Sequence, residues 1–120
     1  MTIHKIEREN WADVCAQISR IGSSKGECAE IEIAGVHLGD QIATKWLPLF
    51  GVTYSRRDDA VEIALKSLCH TIRHPTNIFL EEHSDSLLSI CVADREGMPH
   101  IVRLSEPLDF PAGTWSSASQ

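Results

Sequence analysis

Bases are few in this chain of 120 residues: 11 Lys and Arg stand against 17 Asp and Glu, for a net charge of -6. Arg56-Arg57 is the only adjacent basic pair. Phosphate backbones are gripped by a basic stripe, so its lack excludes nucleic acid as the expected partner. Long apolar runs are missing too. The uncharged run from Trp46 to Ser55 contains Pro48 and Gly51 and reaches about half of a bilayer crossing. The opening MTIHKIEREN has no apolar core of a secretory signal. The expectation is a cytoplasmic chain with no membrane partner.

Other absences remove whole chemistries. None of Cys15, Cys28, Cys69 and Cys91 forms a C-x-x-C pair, so they read as reduced, small, mostly buried side chains. Gly35 and Gly39 are not followed by Lys-Ser or Lys-Thr, so no phosphate loop forms and a dinucleotide-binding unit is not expected. No G-x-S-x-G marks a nucleophile elbow.

What remains is an ordinary globular composition, 42% hydrophobic and 23% charged. Its length fits one domain. Asn10 is a natural helix cap, with Asp13 three residues on. Trp11, Val14, Cys15, Ile18 and Ile21 then share one face at helical spacing, and Gly22 is the expected stop. After Gly26 the period changes to two. Ala29, Ile31 and Ile33 alternate with Glu30 and Glu32. Gln41 to Leu49 and Gly51 to Tyr54 read as two further strands. Val61, Ile63 and Leu65, then Ile78 and Leu80, then Leu88, Ile90 and Val92, then His100 to Leu104 complete the pattern. Polar turns separate them: Arg56 to Asp59, His83 to Ser86, and Asp94 to Gly97. The fold class is therefore α+β, an N-terminal helix packed on an antiparallel β-meander or half-barrel of about six or seven short strands. Residues 1–110 form the domain, and 111–120 are expected as a disordered tail in which Trp115 is the one residue able to dock.

The segment Leu68-Cys69-His70-Thr71-Ile72-Arg73-His74-Pro75 looks chemical. His70 and His74 have the spacing of a helical zinc pair. Pro75 keeps His74 out of the α region, and Thr71 and Ile72 favour a strand. On a strand the two rings lie about 13 Å apart, too far for one metal at ligand distances of about 2 Å. No local metal site or cofactor is expected; a metal drawn from distant residues such as Cys69, His70 and His100 would need the fold to gather them. Neighbours on a strand face opposite ways, so His70 cannot serve as base to Cys69. The acids Glu27, Glu30 and Glu32 read as a solvated strand face or a guarded edge.

Trp46-Leu47-Pro48-Leu49-Phe50-Gly51 is apolar at almost every position, and alternation cannot bury all of it in a one-sided sheet. Pro48 marks a bulge or an edge. Trp46, Leu47, Leu49 and Phe50 are thus the candidate partner surface, by self-association or with another protein. The other reading makes Trp46 and Phe50 core residues where the strand bends.

Trp46 to Tyr54, Val61-Glu62-Ile63-Ala64-Leu65, His70 to Pro75 and Val102-Arg103-Leu104 together resemble a family of short bacterial proteins known as a domain of unknown function. The shared segments are L-P-L-x-G-[IV]-[ST]-Y, V-E-I-A-L and H-x-I-x-x-P, and the resemblance runs from about Trp11 to Pro107. Ser55 stands where an acid is associated with the family. The resemblance lends no activity, but it draws attention to Tyr54, His70, His74 and Pro75.

Two function classes follow. The first is a small non-catalytic binding or assembly protein of the cytoplasm that self-associates. The second is a metal or small-ligand binder, or an enzyme, using Tyr54, His70 and His74 with an acid such as Glu62. It requires those side chains to converge on one pocket.

Overall fold

The computed structural model describes residues 2–33, 36–37 and 46–110. Gln41 to Lys45 of one expected strand and the tail with Trp115 lie outside these residues. The chain runs through strand β1 (Thr2–Ile6), a 3-10 turn (Arg8–Asn10), helix α1 (Trp11–Lys25), then β2 (Cys28–Ile33), β3 (Val36–His37) and β4 (Leu47–Ser55). It continues through β5 (Ala60–Leu65), β6 (Leu68–Arg73), β7 (Asn77–His83), β8 (Ser86–Ala93) and β9 (Pro99–Asp109). The architecture is α+β as expected, one helix on an open antiparallel sheet. Eight strands follow the order β1-β7-β8-β9-β2-β4-β5-β6, and β3 pairs only with β2 among the described residues. Two meanders, β4-β5-β6 and β7-β8-β9, are thus joined through β2.

The helix begins at Trp11 as its periodicity indicates, and Trp11, Val14, Cys15 and Ile18 are buried. Its ends differ from expectation. Asn10 caps with no side-chain hydrogen bond, because the preceding 3-10 turn already places it in helical geometry. Gly22 does not stop the helix. It is buried inside it, where a Cβ would touch Leu49 at 3.4 Å. The stop is Gly26, left-handed at φ 68, a conformation that costs glycine least.

The two strands expected around Gly51 are one. Strand β4 pairs with β2 only through Leu47 and Pro48, then crosses to β5, with a register shift between Leu49 and Gly51. The shift changes parity, so Leu49 and Val52 both face inward and Phe50 faces out. Where β4 has left β2, Ser19 of α1 replaces the missing strand. Its hydroxyl accepts from the Val52 amide at 2.8 Å and donates to the Val52 carbonyl at 2.7 Å. Gly51 permits that approach, since a Cβ there would meet the Ser19 hydroxyl at 3.3 Å.

A second irregularity, between Leu87 and Ser89, turns Leu87 rather than Leu88 into the core. Elsewhere the alternation is as read: Val61, Ile63, Leu65, Ile78, Leu80, Ile90, Val92 and Val102 are all buried. Glu27 departs from the solvated face assigned to it. It is 6% exposed, and its carboxylate accepts from the Ser105 hydroxyl at 2.9 Å and the Glu106 amide at 3.0 Å.

Candidate functional site

Inward parity on β6 falls on Leu68, His70 and Ile72, leaving Cys69 exposed on the other face. On β9 it falls on His100, Val102 and Leu104. The sheet curls until these distant strands face each other. His70 and His100 stack, ring centroids 5.1 Å apart and planes 24° from parallel.

Their hydrogen bonds fix the ring orientations. Asp94 turns the chain after β8, and its Oδ1 accepts the amides of Glu96 at 2.9 Å and Met98 at 3.0 Å. Its Oδ2 lies 2.9 Å from His100 Nε2. A carboxylate only accepts, so His100 donates from Nε2. His70 Nε2 lies 2.9 Å from His100 Nδ1, one ring donating to the other. The chain Asp94–His100–His70 therefore holds both imidazoles in fixed orientation. Burial, then the neighbouring His100, push the His70 pKa below its ordinary value. The His100 bond, followed by the turn amides, holds Asp94 below the usual carboxylate range.

His74 belongs to a second cluster. Pro75 does keep it out of the right-handed α region, but into the left-handed one, at φ 54. Its amide donates to the Asp59 carbonyl at 2.8 Å, and its Nδ1 donates to Asp59 Oδ2 at 3.2 Å. Asp59 is itself left-handed, at φ 49. Two such non-glycine residues back to back store strain that their mutual hydrogen bonds must offset. The Tyr54 hydroxyl donates to Asp59 Oδ1 at 2.8 Å, and Arg8 stands 3.5 Å from the same oxygen. Arg8 in turn lies 4.2 Å over the Trp11 ring, and Trp11 meets Tyr54 edge-on at 5.1 Å. The Tyr54 bond is the main reason the Asp59 pKa is lowered, opposed by some burial and aided by His74 and Arg8. Burial and Asp59 together raise Tyr54.

The two clusters meet at one cleft. A cavity of about 340 Å³ has Ile72, Arg73 and His74 on one wall and Asp94, Arg95, Glu96 and His100 on the other. His74 and His100 line it directly; His70 does not, and touches it only through its bond to His100. Tyr54 does not reach it. It lines a separate cavity of about 330 Å³ with Arg8, Glu9 and Arg56. Glu62, the acid suggested with the histidines, is turned away, beside Cys69, whose pKa it raises. Asp59 and Asp94 take that part instead. Both sit in turns that read only as polar connections, and nothing in their local sequence distinguishes them from a solvated turn. Among the described residues no three His, Cys, Asp or Glu side chains are gathered to hold a metal.

The apolar segment is divided. Leu49 is 3% exposed and belongs to the core, and Leu47 packs against it. Only Phe50, 61% exposed, and Trp46, 44% exposed, remain for a partner.

The family model of DUF5335, a family of unknown function, matches residues 2–113. The chain belongs to this family. It is 29% identical over 112 residues to an uncharacterized protein of Aquifex aeolicus (strain VF5), covering 92% of this chain and 99% of the relative. The relative is bacterial, in agreement with the resemblance read from the segments. No solved structure matches the chain. No helix among the described residues is long and apolar enough to cross a membrane.

Proposed function

We propose that this member of DUF5335 is a small cytoplasmic binding protein without catalysis, and that the cleft between β6 and the β8–β9 turn takes a small polar ligand carrying an acidic group. The observation that carries the reading is the pair of pre-set imidazoles on opposite walls of one cavity. His100 is fixed through both ring nitrogens, by Asp94 and His70, and forms a rigid wall, whereas His74 is fixed by Asp59 through Nδ1 alone and keeps Nε2 for a ligand. Holding these walls in place before the ligand arrives removes part of the ordering cost of binding. Arg73 and Arg95 form no ion pair among the described residues, and they flank the same space. A cavity of about 340 Å³ lies at the small end of ligand sites, suited to a metabolite rather than a peptide.

Imidazole and guanidinium NMR spectra recorded during titration with inorganic phosphate or citrate test the reading. Saturable shifts are expected at His74, His100 and Arg95, with His4 and His83 still. No shift, or equal shifts at all five, removes the cleft as a ligand site.

Phe50 and Trp46 favour the assembly reading as a second possibility, on their exposure alone. Replacing Phe50 with Ser and comparing sedimentation with the parent tests it: an unchanged assembly state removes this surface.

A further inference from the structure

The outer face of the β1-β7-β8-β9-β2 half carries a self-complementary pattern. Because Ile78, Ile90 and Val102 face the core, the residues between them face out. Register places Phe79 opposite Cys91, and Cys91 opposite Ile101. This apolar row ends in Lys5 on β1 and Glu32 on β2. The next row holds Glu81, Ser89 and Arg103 on the same three central strands. Between the rows lies a mainly apolar hollow of about 250 Å³, with Ile3 at its edge 67% exposed.

We propose that this face docks a second copy of the chain about a two-fold axis lying along β8, an inference independent of the ligand cleft. Such an axis carries β7 of one copy over β9 of the other, and β1 over β2. Sheets pack face to face at about 10 Å, so residues of the same row then meet. Phe79 meets Ile101 of the second copy, twice. Lys5 meets Glu32, and Glu81 meets Arg103, also twice. Cys91 meets itself on the axis, and Ser89, 6% exposed, lines the hollow there. The charges of the three central strands, Glu81 and Arg103, find the opposite sign, while Ile3 and Glu30, which flank them on β1 and β2, meet each other at the rim. Glu32 already accepts from Arg103 within the chain, and Ser89 donates to Glu81 at 2.7 Å, so these side chains are oriented before contact. An isologous interface requires this property, one patch complementary to itself under rotation. An apolar centre with charged flanks is the anatomy of a stable interface.

The test is sedimentation equilibrium of the parent chain, of Phe79→Lys, of Ile101→Glu, and of the two variants mixed. The parent is expected as a dimer. Each variant alone is expected to raise the dimer Kd at least about thirtyfold, as loss of a central apolar anchor does. The mixture is expected to recover a dimer, because the new lysine of one copy then faces the new glutamate of the other. A monomeric parent overturns the proposal. So does a dimer indifferent to both variants, which moves the contact elsewhere, Phe50 included. Variants that part the dimer but do not recover on mixing overturn the two-fold pairing. Circular dichroism checks that each variant folds. Lys5→Glu, at an exposed position, replaces one that does not, with a severalfold weakening expected and an unchanged Kd against the proposal.

Discussion

His70 and His74 leave the same stretch of chain four residues apart and enter different surroundings. His70 points between the sheet halves, is half-buried, and hydrogen bonds to another imidazole. His74 stands at the strand end, its side chain 52% exposed, on a carboxylate. Strand parity sent the first ring inward; a proline and a left-handed turn sent the second outward. One residue type is therefore locked between strands in one place and left accessible at the cleft in the other.

The largest expected difference is in stability. His100→Ala removes the ring partner of His70 and the Oδ2 bond of Asp94, at a site where His100 is 8% exposed. Leaving such a group unpaired costs about 2–3 kcal/mol. Asp59→Ala breaks an exposed ion pair and a tyrosine bond, worth about 1 kcal/mol. Urea unfolding of the two variants measures this. Equal losses would mean that the inner and outer clusters bear the same load.

Acid should separate the rings next. His70 has a pKa lowered by burial and by His100. In the unfolded chain it titrates at about 6.5. Between those values the unfolded state binds a proton that the folded state refuses, so stability is full above about pH 6.5 and falls as pH drops through that window. Asp59 and Asp94, with lowered pKa values, add a second loss below about pH 4. His70→Phe should flatten the first fall. A fall that persists in His70→Phe would assign it to another histidine.

A smaller effect tests the outer cluster. Tyr54→Phe deletes the main bond depressing Asp59, so the Asp59 carboxyl should titrate higher, with stability changed by less than about 1 kcal/mol. Carboxyl-carbon NMR follows it. A fixed Asp59 pKa would credit His74 and Arg8 instead.

How far the sequence foretold these contrasts depends on the range of the interaction. The alternation of Val61, Ile63 and Leu65 and the helical stripe of Trp11, Val14 and Ile18 are local signals, and each side chain lies where its period put it. The failures occur where one residue is inserted. The shift at Leu49/Gly51 merges two expected strands, and the one at Leu87/Ser89 exchanges Leu88 for Leu87. Gly22 reads as a stop because a glycine ends many helices, yet here it serves contact with Leu49, which no local pattern announces. The site was half legible. His70 and His74 were visible as residue types, and opposite facing already separated His70 from Cys69. Asp94 and Asp59 were not visible, because their partners lie 6 and 15 residues away and are brought in by hairpin register, at the end of the β8–β9 pair and of the β5–β6 pair.

The least disruptive test reads that facing directly. Cys69 and His70 are neighbours, so an exposed thiol at Cys69 requires an inward imidazole at His70. Cys69 is exposed, although Glu62 raises its pKa. Cys15 is buried in α1 against the sheet, its thiol pushed up to about 12 by that burial. In the native protein a maleimide should modify Cys69 first and Cys15 only on unfolding, with peptide mass spectrometry giving the order. Cys28, half-buried, should fall between. A protected Cys69 would mean that β6 is turned by one residue. His70 would then point to solvent, the stacking on His100 would be lost, and the contrast between the two histidines would collapse with it.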